Sequence, residues 1–182
     1  MENCVKAMLY CYPMLDRICE GYVQHIKNKA TMSHDGRIPT VELAEYLAKE
    51  ICEKERTQAL KALFDEILAR LTLEERLLLD LRFFGKMDRV RRMFAAKRAG
   101  LADDAMRDVP FWSERTYFRK QKALLEKLCK RLECRGLDKE AFLKDYAQLD
   151  GIAPVYQYVE LGKDVGIEKK ERSFLDFLNQ IR

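Results

Sequence analysis

The chain is poor in the residues that break or bend a backbone. Its 182 residues include eight glycines and four prolines, well below the usual combined share. Serine occurs three times and threonine five times, and valine and isoleucine number eight each against 24 leucines. Few breakers and little β-branching argue against collagenous and all-β chains. A hydrophobic share of 48% argues against disorder and is enough to bury a sizeable core. The expectation is an all-α, multi-helical protein.

Long apolar runs are also missing. The longest is Ala7-Met8-Leu9-Tyr10-Cys11-Tyr12, far short of the roughly 18 residues a membrane helix needs. The N-terminus lacks the basic-then-apolar order of a signal peptide, because Glu2 precedes Lys6 and Asp16-Arg17 soon follow. A cytoplasmic protein with no membrane partner is expected. The six cysteines (Cys4, Cys11, Cys19, Cys52, Cys129, Cys134) contain no CxxC pair. They read as reduced structural thiols behaving as small apolar side chains. Metal ligation is the alternative, since His25 and His34 lie near the first three cysteines, but the spacings match no zinc pattern.

Familiar catalytic signatures are absent as well. There is no GxxxxGK[ST], no GxGxxG, no GxSxG and no HExxH, and only two histidines. Most carboxylates alternate with Lys and Arg, as on a solvated helix face. The chain is therefore read as a non-enzyme without cofactor or metal.

What is present is charge of uneven sign. The net charge is +4. Residues 1–85 carry −2, residues 86–135 carry +8 and residues 136–182 carry −2. A single basic segment between acidic flanks is the footprint of a polyanion-binding element, with a solvated basic helix face as the plain alternative.

Helical periodicity runs through most of the chain. Over residues 3–28, Val5, Met8, Leu9, Tyr12, Leu15, Ile18, Cys19, Tyr22, Val23 and Ile26 form one stripe. Pro13 is expected to kink this helix or to start a second one. Residues 29–38 read as a loop. Pro39-Thr40 opens a helix with Leu43, Tyr46, Leu47 and Ile51 on one side, and Leu60 to Leu71 continue the period. The charged stretch Cys52–Arg56 either extends that helix or breaks it.

Thr72 with Glu75 forms a capping box, and Leu73, Leu77, Leu78, Leu81 and Phe84 follow on the apolar side. A basic helix is expected over 87–98, and 101–109 is ambiguous. Ser113 caps a helix running from 114 to about 133, with Trp112 and Tyr117 as a hydrophobic staple. Stacking of these two rings on single-stranded bases is the less favoured reading. The inward side of this helix reads as Tyr117, Phe118, Leu124, Leu125, Leu128 and Leu132. Arg115, Arg119 and Lys122, at i, i+4 and i+7, share an outward face. Gly136 ends it. Further helices are expected over 138–149 and 167–181, with 151–166 unassigned.

Two stretches carry a resemblance. Leu71-Thr-Leu-Glu-Glu-Arg-Leu-Leu-Leu-Asp-Leu-Arg-Phe-Phe84 resembles the first helix of bacterial sigma factor region 4. Ser113-Glu-Arg-Thr-Tyr-Phe-Arg-Lys-Gln-Lys-Ala-Leu-Leu-Glu-Lys-Leu128 resembles the last, DNA-reading helix of that family. The wording is closer still to sigma region 4-like regulators from phages and prophages of Firmicutes. The 28 residues between Phe84 and Ser113 exceed what that family normally places there, so the resemblance implies an insertion.

The chain reads as three parts, and the resemblance covers about 30 residues at the two ends of the middle one. Residues 71–135 would form a helix-turn-helix DNA-binding segment. Residues 1–70 would form an N-terminal helical region for interaction or dimerisation, and residues 136–182 a C-terminal helical region. The function implied is a sequence-specific double-stranded DNA-binding transcriptional regulator that places helix 113–134 in the major groove. The reading positions carried over are Ser113, Glu114, Arg115, Thr116, Arg119 and Lys120. Arg115 and Arg119 are suited to guanine O6/N7. Ser113, Thr116 and the free N–H groups of the first turn are suited to a phosphate. The alternatives are that Thr116 packs inward and that Glu114 only complements the helix dipole. Lys122, Arg91, Arg92, Lys97 and Arg98 are candidates for backbone contacts. RNA polymerase and a second copy of the chain are the protein partners implied. The competing reading is a non-enzymatic protein–protein adaptor that binds no nucleic acid.

Overall fold

A computed structural model of the chain describes residues 1–32, 39–84 and 112–161. Every regular element among them is helical. The helices expected over 87–98 and 167–181, the ambiguous segment 101–109, His34, and the candidate contacts Arg91, Arg92, Lys97 and Arg98 all lie outside the described residues.

The first helix, α1 (Glu2–Cys11), is apolar nearly all round. Cys4, Val5, Ala7, Met8, Leu9 and Cys11 are each 0–1% exposed. A helix with that pattern belongs at the centre of a bundle rather than on its surface. Pro13 lacks the N–H an α-helix requires. It sits in a single 3₁₀ turn, Tyr12–Met14, after which α2 (Leu15–Met32) begins. The expected 3–28 helix is thus two helices joined at the proline.

α3 (Thr40–Ala69) runs unbroken through Cys52–Arg56 and packs along α2. Its inward positions are Glu50, Glu53, Thr57, Leu60, Phe64 and Ile67, followed by Leu71 beyond its end. The alternating three- and four-residue steps make a seam of 3.5-residue period, as in helices packed side by side along their length. Ile51, expected inward, is exposed, and Glu50 and Glu53 take the seam positions instead. Glu50 lies 3.9 Å from His25 Nδ1, and both carboxylates act electrostatically on Tyr22. Lys49 Nζ lies 3.6 Å from Glu53. Burial, with these carboxylates adding to it, pushes the Tyr22 phenol well up.

α4 (Leu73–Arg82) follows a tight joint in which Arg76 donates to the carbonyl of Ala69 at 2.8 Å. That bond satisfies one of the carbonyls left open at the end of α3. At the far end of α4, Phe83 packs edge-on to Tyr10 with ring centres 4.9 Å apart, and Phe84 lies 5.4 Å from Tyr12. Leu73 was expected on the apolar face but is 86% exposed, while Leu79 is buried. As the first residue after the cap, Leu73 precedes the turn that meets the core.

α5 (Glu114–Glu133) and α7 (Ala153–Leu161) both pack against α1, with α6 (Lys139–Asp145) between them in the chain. Gly136 has φ +80°, the left-handed conformation glycine adopts at no steric cost, and Leu137 donates back to Leu132 at 3.0 Å. α7 falls in the stretch left unassigned from sequence. Asn3 donates to Glu160 at 3.1 Å, tying its last turns to the start of α1. Where α7 begins, Gly151 lies against Ile18, and a Cβ there would come within 2.6 Å of the Ile18 side chain. The core draws on all three parts of the sequence, with α1, α3, α4, α5, α6 and α7 contributing to one cluster.

Burial separates the cysteines by chemistry. Desolvation pushes the Cys11 thiol up to about 12 and also raises those of Cys4 and Cys19, whereas Cys52 and Cys134 are exposed. A thiol reagent at pH 8 is expected to label Cys52 and Cys134 in the native protein. Cys4, Cys11 and Cys19 should react only after unfolding. Mass spectrometry of labelled peptides checks this, and prompt labelling of Cys11 would contradict the buried position of α1.

Candidate nucleic-acid interface

α5 starts as its sequence dictates. The Ser113 hydroxyl accepts from the Thr116 N–H at 3.2 Å, which caps the helix. The Ser113 and Thr116 hydroxyls also bond to each other at 2.8 Å. Trp112 and Tyr117 are both buried, with ring centres 6.3 Å apart, so the staple forms. Gln121 donates to the Tyr117 phenol at 2.7 Å and is itself buried. Phe118, expected inward, is 43% exposed and touches Tyr117 edge-on. The helix thus buries 117, 121, 124, 125, 128 and 132, and position 118 falls just off that stripe.

The opposite face carries the expected basic residues. Arg115, Arg119 and Lys122 are exposed on one face of the first half of α5. Among the described residues, no carboxylate pairs with any of them. Ser113 and Glu114 are exposed at the helix start, and Thr116 is half-buried. Lys120 is placed differently from the others. It pairs with Glu74 of α4, and its ammonium lies 5.1 Å from the centre of the Trp112 ring. It therefore holds α5 to α4, with a cation–π contact added.

The acidic start of α4 holds α5 at two heights. Thr72 and Glu75 form the reciprocal capping box, with bonds of 3.3 and 3.0 Å. Glu75 also accepts from Lys127 at 2.5 Å, two turns beyond Lys120. One side chain thus caps α4 and orients α5. The sequence pattern identified the cap but carried no sign of the second partner, 52 residues away. Among the described residues, no cluster of three or more His, Cys, Asp or Glu side chains is arranged to hold a metal ion. No described helix is long and apolar enough to cross a membrane.

Comparison with protein families, with curated proteins and with solved structures gives no match.

Three carboxylates around this frame are depressed. The Tyr12 phenol donates to Asp65 at 2.6 Å and Lys61 adds to it, which holds the Asp65 carboxyl below the ordinary range. The forked Arg135 does the same for Glu66. At Glu75 burial pushes upward, but Lys127 and the Thr72 N–H outweigh it and the carboxyl ends below its ordinary value. A carboxyl whose folded pKa lies below its unfolded one adds stability above the unfolded value, and that stability is lost as pH falls through the folded value. The unfolded values lie near 4. Thermal melts followed by circular dichroism are expected to show no loss from these three groups between about pH 7 and pH 5. A fall that steepens below about pH 4 should follow. A midpoint unchanged down to pH 2.5 would refute the pairing.

Proposed function

We propose that this protein is a sequence-specific double-stranded DNA-binding transcriptional regulator whose reading element is the first half of α5, inserted in the major groove. One observation carries this reading. Arg115, Arg119 and Lys122 form a basic face that no carboxylate among the described residues pairs with, at the start of a capped helix whose other side is fixed in the core. A reading helix needs both a rigid backbone and side chains whose donors are not already spent. The flanking cations Lys120 and Lys127 are spent on α4, so the face has a defined edge.

The resemblance of 71–84 and 113–128 to sigma factor region 4 supports the same reading. It adds a helix-turn-helix core, a phage-type regulator, RNA polymerase as a protein partner and a second copy of the chain as another. Ser113, Thr116 and the first-turn N–H groups are assigned to a phosphate.

Binding to mixed duplex DNA across a salt series tests the proposal, comparing the wild type with Arg115→Ala/Arg119→Ala. Steeply salt-dependent binding is expected, and the double substitution should weaken it at the preferred sequences within the mixture. Absence of duplex binding at low salt would replace this reading with that of a protein–protein adaptor.

A further inference from the structure

A second basic site lies at the other end of α5. A cleft of about 300 Å³ is lined by Ile67, Arg70, Lys130, Arg131, Cys134 and Arg135. Four of these six side chains are cationic. The carboxylate beside them is Glu66, and it is already engaged. Arg70 reaches it at 2.8 Å and Arg135 grips it with both guanidinium nitrogens. Arg131 is left over. Its Nη1 is buried and has no hydrogen-bond partner among the described residues.

Cations near the ends of α3 and α5 complement the open carbonyls there. That accounts for positive charge at the helix ends, but it does not supply an acceptor for a buried guanidinium N–H. Such a group is costly to bury unmet. The cleft gathers four cations around one carboxylate, an excess that an anion balances, and tetrahedral oxyanions match the guanidinium fork.

We infer that this cleft between the C-terminal ends of α3 and α5 is a binding site for a small molecule bearing phosphate groups. It is distinct from the DNA-reading face. Arg115 and Arg131 are sixteen residues apart on one helix, about 24 Å along its axis. A cleft of this volume has room for a phosphate or pyrophosphate group. The occupied site joins the end of α3 to the end of α5, so the ligand bears on the orientation of α5.

Calorimetric titration of the full chain with inorganic pyrophosphate, in chloride buffer of fixed ionic strength, tests this. Saturable binding is expected. Arg131→Gln should weaken it by about tenfold or more, as one lost charge-assisted hydrogen bond implies. Arg70→Gln, at an exposed position that does not risk the fold, should weaken it as well. Arg115→Ala/Arg119→Ala should leave it unchanged, so failure of the DNA reading and failure of this site are told apart. Pyrophosphate binding that is absent, or that persists undiminished in both cleft variants, overturns the inference. So does a result in which the cleft variants weaken duplex DNA binding while pyrophosphate does not bind, because the anion would then be the DNA backbone.

Discussion

Replacing Leu9 by alanine is expected to destabilise the protein by roughly 2 to 5 kcal/mol. Leu9 is fully buried in the last turn of α1, which packs against α5 and α7. Removing three carbons there forfeits their transfer from water and leaves a cavity that helices held from several directions cannot close. Natural domains are stable by only about 5 to 15 kcal/mol, so the loss is a large share of the total. The melting temperature should drop by roughly 5 to 20 °C, at about 2 to 4 °C per kcal/mol for a chain of this size. Leu161→Ala, at a position 79% exposed, should change stability by no more than about 0.5 kcal/mol. Urea unfolding of the two variants decides the matter. A cost below about 1 kcal/mol for Leu9→Ala would mean that α1 is not the centre of the core.

Arg115→Ala/Arg119→Ala is expected to weaken specific duplex binding by roughly 30-fold to 10 000-fold. Each bidentate arginine–guanine contact contributes about 1 to 3 kcal/mol of discrimination, and two together span that range. The loss should fall on the preferred sequence and largely spare random duplex, because base contacts carry the sequence information. Lys122→Ala should behave differently. A lost phosphate contact weakens all sequences alike and reduces the salt slope by about 0.9. Competition titrations with preferred and random duplex separate the two patterns. Equal loss on both duplexes in the arginine variant would reassign Arg115 and Arg119 to the backbone.

The elements that sequence reasoning located well are those fixed by neighbours in the chain. Thr72 with Glu75, and Ser113 with Thr116, are bonds spanning three residues, so their side chains announce them. Pro13 and Gly136 act through their own backbone and are equally legible. Periodicity was weaker where polar residues occupy the buried face. Glu50 and Glu53 hold the phase of α3 between Tyr46 and Thr57, and a reading based on apolar side chains chose Ile51 instead. Phe118 and Leu73 misled for the converse reason, since an apolar side chain does not by itself show which way it points. α7 escaped because Gly151, Pro154 and its aromatic and β-branched residues favour other structures locally. Its helix is secured instead by α1, nearly the whole chain away. The basic face of α5 was legible as a spacing. That Lys120 is withdrawn from it by Glu74 was not, because that partner lies 46 residues upstream.

The central position of α1 also constrains the order in which the protein can form. Asn3 and Glu160 are partners separated by 157 residues. The surfaces that enclose the first helix emerge from the ribosome long after it does. α2 and α3, adjacent in sequence, can pair early at little loop-closure cost. α1 cannot be enclosed until α5 and then α7 have been made. Through most of synthesis its apolar faces stay open to other chains, the condition under which partly folded proteins associate and chaperones act. A helix that anchors the finished bundle is therefore, during biosynthesis, its longest-exposed liability.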